Sequence, residues 1–79
     1  MPQKNKYELS IIIPVYNEES YLNKLFEQIL YFFNSEDVEV IIVNDGSTDR
    51  SKEIIENFKI KENVKFSLKI IHLDKNFGK

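Results

Sequence analysis

Four consecutive β-branched residues, Val40-Ile41-Ile42-Val43, run without a break into Asn44-Asp45-Gly46-Ser47-Thr48-Asp49. A strand built this way has no polar face. It must be covered on both sides, which is the situation inside a parallel sheet. The polar run that follows ends the strand and opens a helix. Gly46 lets the backbone turn sharply, and Ser47, Thr48 and Asp49 are each good helix N-caps. In open α/β sheets, ligands bind in the crevice outside the carboxyl ends of the strands. Asp45 stands at that place, beside a glycine and a helix start. Two readings of it stay open here: contact to a bound ligand, or a cap of its own turn, since Asp-Gly is a common turn dipeptide.

The rest of the chain repeats the alternation of strand and helix. Residues 9–15 read as a first strand, with Ile11 and Ile13 on one face and Ile12 on the other. Pro14 removes a ladder donor near its end. Tyr16 and Asn17 form the exit. Asn17 suits an N-cap, and Glu18 and Glu19 suit the positive end of a helix dipole. A first helix is predicted over residues 18–33, where Leu22, Leu25, Phe26, Ile29 and Phe33 recur at helical spacing. Tyr21, Leu30 and Phe32 widen that stripe, which is most simply core packing. Residues 34–37 turn into the second strand, 38–44. A second helix over 49–58 points Ile54, Ile55 and Phe58 at the sheet, and 59–65 is a charged connection. A third strand over 66–73 carries Leu68, Ile70 and Ile71 as its apolar core. Residues 1–6 are a polar lead-in, and 74–79 are a further strand-end loop.

The order is β-α-β-α-β, one mononucleotide-binding half of a doubly wound sheet. Right-handed crossovers place both helices on one face, with parallel strand order 3-2-1. A conflict follows. The strands are apolar on both faces, yet helices are available for one, and the first strand is an open hydrophobic edge. A sequence of 79 residues makes one small domain and buries only about 60% of its unfolded surface. These strands therefore belong to something larger, or to an assembly in which a partner covers the bare face.

Composition narrows the function classes. A net charge of −2 offers no electrostatic case for nucleic acid. There is no cysteine, and the single histidine, His72, cannot build a histidine metal cluster and reads as a strand residue. No apolar run approaches the roughly 20 residues of a membrane span. Lys4 and Lys6 ahead of Ile11-Ile12-Ile13 mimic a signal peptide, but Glu8 and Pro14 interrupt the pattern. The cytoplasm is the default location.

Ile11-Ile12-Ile13-Pro14-Val15-Tyr16-Asn17-Glu18-Glu19, followed about 30 residues later by Val43-Asn44-Asp45-Gly46-Ser47-Thr48-Asp49, resembles the N-terminal part of the family 2 glycosyltransferases. The two motifs, each at a strand end within one βαβ step, are far more specific together than apart. Asn76-Phe77-Gly78-Lys79 resembles the corresponding loop of the polyprenyl-phosphate branch, which includes dolichyl- and undecaprenyl-phosphate sugar transferases. The resemblance implies a Rossmann-like, three-layer GT-A fold, of which residues 1–79 would be a partial, N-terminal domain. It implies a UDP- or GDP-sugar as ligand. Pro14, Tyr16 and Glu18 match the segment that contacts base and ribose. Asp45 matches the acidic residue that accepts a hydrogen bond from the base, a role that fits the ring N–H of uracil or guanine. Gly46 shapes that turn, Gly78 would permit close backbone approach, and Lys79 could reach a phosphate.

The resemblance also implies parts that these residues do not supply. The family's Asp-x-Asp motif holds Mg2+ or Mn2+ against the diphosphate, and Asp74-Lys75-Asn76 sits too early to be that motif. No metal and no catalytic residue is expected within this stretch, and sugar transfer by it alone is not expected. The alternative to part of an enzyme is a non-catalytic nucleotide-binding or oligomerising module. A full-length relative would be membrane-peripheral if its acceptor were a polyprenyl phosphate.

Overall fold

A computed structural model describes residues 6–61 and 63–74. The elements are β1 (Leu9–Val15), α1 (Leu22–Phe33), β2 (Val38–Asp45), α2 (Ser51–Lys61) and β3 (Ser67–Leu73). The three strands are parallel in the order β1-β2-β3, so the expected 3-2-1 arrangement is present. Both helices lie on one face of this sheet, where β1 contributes Val15 and β2 contributes Val38, Val40 and Ile42 to a core shared with Leu22, Phe26, Ile29, Ile55 and Phe58. The apolar stripe of α1 meets α2 through Phe26 and Phe58, whose rings stack with centroids 4.1 Å apart.

Element boundaries differ from the sequence reading in ways that have local causes. Helix α1 begins at Leu22, not at residue 18. Residues 18–21 form a separate turn in which the Glu18 carbonyl accepts from the N–H groups of Tyr21 and Leu22. Asn17 is not an N-cap, and its φ of 52° places it in the left-handed region. Strand β2 runs one residue further, because Asp45 pairs with Leu73. Helix α2 starts at Ser51 and ends at Lys61.

Two expectations about the core are corrected. The last turn of α1 leaves Tyr31, Phe32 and Phe33 exposed instead of packing Phe33 and Phe32 inward. Ile71 is also exposed, because strand alternation turns it to the helix-free face while Leu68 and Ile70 face the helices.

The helix-free face is not uniformly apolar, which the sequence reading did not anticipate. At its amino-terminal end the Ser10 hydroxyl donates to Glu39 Oε1 at 2.9 Å, and Lys69 Nζ lies 2.9 Å from Glu39 Oε2. The hydrogen bonds from Lys69 and then Ser10 hold the Glu39 carboxyl below its ordinary range. One polar residue from each strand thus closes that end. Ile12, Ile41, Val43 and Ile71 form the apolar middle, with Ile12 still 66% exposed.

The two faces should respond differently to the same edit. Ile42 is fully buried and Ile12 is not. Ile42→Val is expected to cost about 1 kcal/mol in urea unfolding of this chain, whereas Ile12→Val should stay within about 0.5 kcal/mol. Equal losses would place a cover on the helix-free face.

Candidate functional site at the carboxyl ends of the strands

Strands β1 and β2 are parallel neighbours, with Val15 opposite Asn44. The segments that leave them therefore start side by side. Residues 16–21 and 45–51 then join through a set of cross-loop hydrogen bonds. Asn17 Oδ1 accepts from the backbone N–H of Thr48 at 2.8 Å and of Asp49 at 3.2 Å. In return, Ser47 Oγ accepts from the N–H of Asn17 at 3.0 Å, Ser51 Oγ from that of Glu18 at 2.9 Å, and Asp49 Oδ2 from that of Glu19 at 3.2 Å. The left-handed backbone at Asn17 lets the side chain and the N–H of one residue both face the second loop. Asparagine tolerates that conformation better than most residues.

This clasp also engages the residues that lead into α2. Arg50 N–H donates to Glu19 Oε1 at 3.2 Å and Ser51 N–H to Asp49 Oδ1 at 2.8 Å. The backbone N–H groups of residues 48–51 thus all have acceptors inside the protein. Glu19 serves α2 rather than the first helix, contrary to the sequence reading. A phosphate at this helix start would displace those acceptors and meet the carboxylates of Asp49 and Glu19.

The candidate residues fall as follows. Pro14 is exposed, one rung before the end of β1 and paired with Val43. Tyr16, 40% exposed, follows Val15 directly. It leaves β1 at the rung where β2 reaches Asp45, which is half-buried. Gly46 has φ 71°, the positive value that favours a glycine there. Glu18 is exposed, and its backbone rather than its side chain takes part in the clasp. The structure thus gathers Pro14, Tyr16, Asp45 and Gly46 at one edge, with Glu18 beside them. Lys79 and Gly78 lie outside the described residues.

Beneath the turn is a second network that the sequence reading missed. Asn44 is buried at the end of β2. Its Oδ1 accepts from Ser47 N–H at 3.2 Å, and its amide nitrogen lies 3.0 Å from His72 Nδ1. His72 Nε2 lies 2.6 Å from Glu56 Oε2 on α2. The hydrogen bond to His72 is the main cause holding the Glu56 carboxyl below its ordinary value. A polar residue at a helix-facing position of an otherwise apolar strand was the signal available in the sequence.

Among the described residues, no three His, Asp or Glu side chains converge to hold a metal ion, so they do not form a divalent-metal ligand set. No helix among them is long and apolar enough to cross a membrane. A groove of about 590 Å³ between α1 and α2 is lined by Phe26, Leu30, Ile54 and Phe58 and reaches Arg50 of the clasp.

The clasp makes two measurable demands. Asn17→Ala should cost about 2 kcal/mol, combining about 1 for the hydrogen bonds and about 1 for a left-handed alanine. Asn17→Gly should recover the second part, and equal urea midpoints for the two variants would remove backbone strain from the account. Asp49 supplies a pH dependence. Desolvation pushes its carboxyl up, but hydrogen bonds from the Ser51 hydroxyl, Ser51 N–H and Glu19 N–H outweigh that and leave it below its ordinary 3.8. A depressed carboxyl stabilises the fold above its unfolded value, and the contribution is lost as pH falls through the lower folded value. Asp49→Asn should therefore be less stable than the parent at neutral pH and converge with it below about pH 4. A constant difference down to acid denaturation would contradict this.

Comparison with known proteins gives one consistent result. The profile described as Glycosyl transferase family 2 matches residues 10–79. An uncharacterized glycosyltransferase of Synechocystis sp. is 41% identical over 75 residues, covering 91% of this chain and 22% of its own. A dolichyl-phosphate beta-glucosyltransferase of Trichomonas vaginalis is 39% identical over 57 residues, covering 63% of this chain and 18% of its own. The crystal structure of S. aureus TarS in complex with UDP superposes with a TM-score of 0.70 at 33% identity, over 86% of this chain and 19% of that one. The chain spans about a fifth of the length of these two curated relatives. The clasped strand ends are thus those of a GT-A sheet, and the chain belongs to glycosyl transferase family 2.

Proposed function

We propose that this chain forms the nucleotide-binding part of a glycosyltransferase that uses a UDP- or GDP-sugar. The observation that carries the reading is the joining of the two strand-end segments, which sets Tyr16 and Asp45 at one edge of the sheet. The Asp45 carboxylate accepts the ring N–H of the base, and Tyr16 offers its ring or hydroxyl to the nucleoside. Pro14, Glu18 and Gly46 shape the same strand end, and the charge of Lys79 suits a diphosphate. The acceptors already held by the N–H groups of residues 48–51, with the carboxylates of Glu19 and Asp49 beside them, support this orientation. Similarity to TarS, whose structure holds UDP, supports a uridine nucleotide as the first ligand to test.

In the reaction of the whole protein, the bond from the sugar's anomeric carbon to the diphosphate oxygen breaks. A bond to an acceptor oxygen forms, and the nucleoside diphosphate leaves. A polyprenyl phosphate is the proposed acceptor, supported by Asn76-Phe77-Gly78-Lys79 and by similarity to a dolichyl-phosphate beta-glucosyltransferase. Mg2+ or Mn2+ would be held by residues outside those described. A second reading, a self-associating module, is favoured by the exposed Ile12 and Ile71 on the helix-free face. Sedimentation separates it, because a monomer at high concentration removes its basis.

The direct test is calorimetric titration of UDP and GDP into the chain, with and without Mn2+. Binding with a Kd on the order of 1 mM, unchanged by Mn2+, is expected for this site. Asp45→Ala should weaken it by roughly 10-fold or more, the worth of a hydrogen bond to a charged group. No heat with either nucleotide at several millimolar would refute nucleotide binding by these residues.

A further inference from the structure

The Asn44–His72–Glu56 network has a direction, and a backbone group sets it. The N–H of Ser47 can only donate, so the Asn44 atom 3.2 Å away is the side-chain oxygen. The amide nitrogen, itself only a donor, then faces His72 Nδ1 at 3.0 Å. Nδ1 must be the unprotonated ring nitrogen, and the proton belongs on Nε2, 2.6 Å from Glu56 Oε2. Glu56 is the acceptor that ends the line. Three donors point the same way, from the turn after β2, through β3, to α2. No step can be reversed without setting two donors or two acceptors against each other.

Asn44 Oδ1 accepts across Asp45 and Gly46, so the orientation of this amide fixes the backbone on which the Asp45 carboxylate stands. Asn44 is 2% exposed, so water is a poor substitute partner for its nitrogen. We propose that His72 is a positioning residue for the ligand-facing turn. Its Nδ1 lone pair holds Asn44 in the one orientation that closes the turn over Asp45 and Gly46. This deepens the nucleotide reading given above and rests on it for its effect on binding.

Three variants separate the two ends of the ring. His72→Asn places an amide oxygen about where Nδ1 stands, keeping the acceptor for Asn44 and giving up Glu56. His72→Gln reaches Glu56 with its amide and gives up Asn44. His72→Leu loses both. Nitrogen NMR of the parent chain should show the Nε2–H tautomer. Exchange of the Ser47 amide should be unchanged in His72→Asn and roughly five- to tenfold faster in the Gln and Leu variants. UDP affinity should follow the same order, with roughly five- to tenfold weaker binding in Gln and Leu and near-parent binding in Asn. Urea unfolding of each variant keeps a general loss of fold separate from this pattern. An Nδ1–H tautomer, or a Gln variant matching the parent in Ser47 exchange, overturns the proposal. A parent chain that ignores UDP while Ser47 exchange follows the expected order would leave the positioning role intact and sink the nucleotide reading.

Discussion

Because β1 and β2 are parallel neighbours with Val15 opposite Asn44, two segments 30 residues apart in sequence must begin together in space. Everything at the crevice depends on that pairing. It brings Asn17 to the start of α2 and Ser47, Asp49 and Ser51 to the loop after β1. It also sets Tyr16 beside the turn that carries Asp45. The core beneath enforces the pairing, since Val40 and Ile42 are almost wholly buried under both helices. A slip of one residue would turn those side chains outward and Glu39 and Ile41 inward.

The clasp satisfies a constraint usually met within one segment. A helix amino terminus leaves N–H groups without partners, and here Asn17 and Glu19 supply acceptors from across the sheet end. The local electrostatics follow. In many doubly wound proteins this helix end attracts a diphosphate. Here it is ringed by the side chains of Asn17, Glu19 and Asp49. The fold keeps the strand-end arrangement but surrounds this helix start with carboxylates rather than leaving it open to an anion.

Much of this was legible in the residues. The run Val40 to Val43 predicted the central parallel strand, and the Asp45-Gly46 turn predicted the strand end where the candidate residues gather. What escaped has physical causes. Asn17 looks like an ordinary N-cap because its real partners, Thr48 and Asp49, are distant in sequence. Glu18 and Glu19 fit a first helix turn equally well, and only the competing acceptors Ser51 and Asp49 draw their N–H groups away. Phe32 and Phe33 extend the apolar stripe of α1, but spacing does not say which turns of a helix are covered. His72 was read as a strand residue, which it is. Its partners on β2 and α2 became visible only with strand register in hand.

The helix-free face carries a polarity gradient along the strands. Ser10, Glu39 and Lys69 tie across its amino-terminal end, Ile12, Ile41, Val43 and Ile71 occupy its middle, and Asp45 stands at its far end. An apolar layer seated on this face can cover the middle. If it shifted toward the amino-terminal end, it would strip water from the Glu39–Lys69 pair without offering either charge a new partner. Cover on this face is therefore favoured over Ile12, Ile41, Val43 and Ile71 and penalised over the trio, so one end of the sheet resists burial that its middle invites.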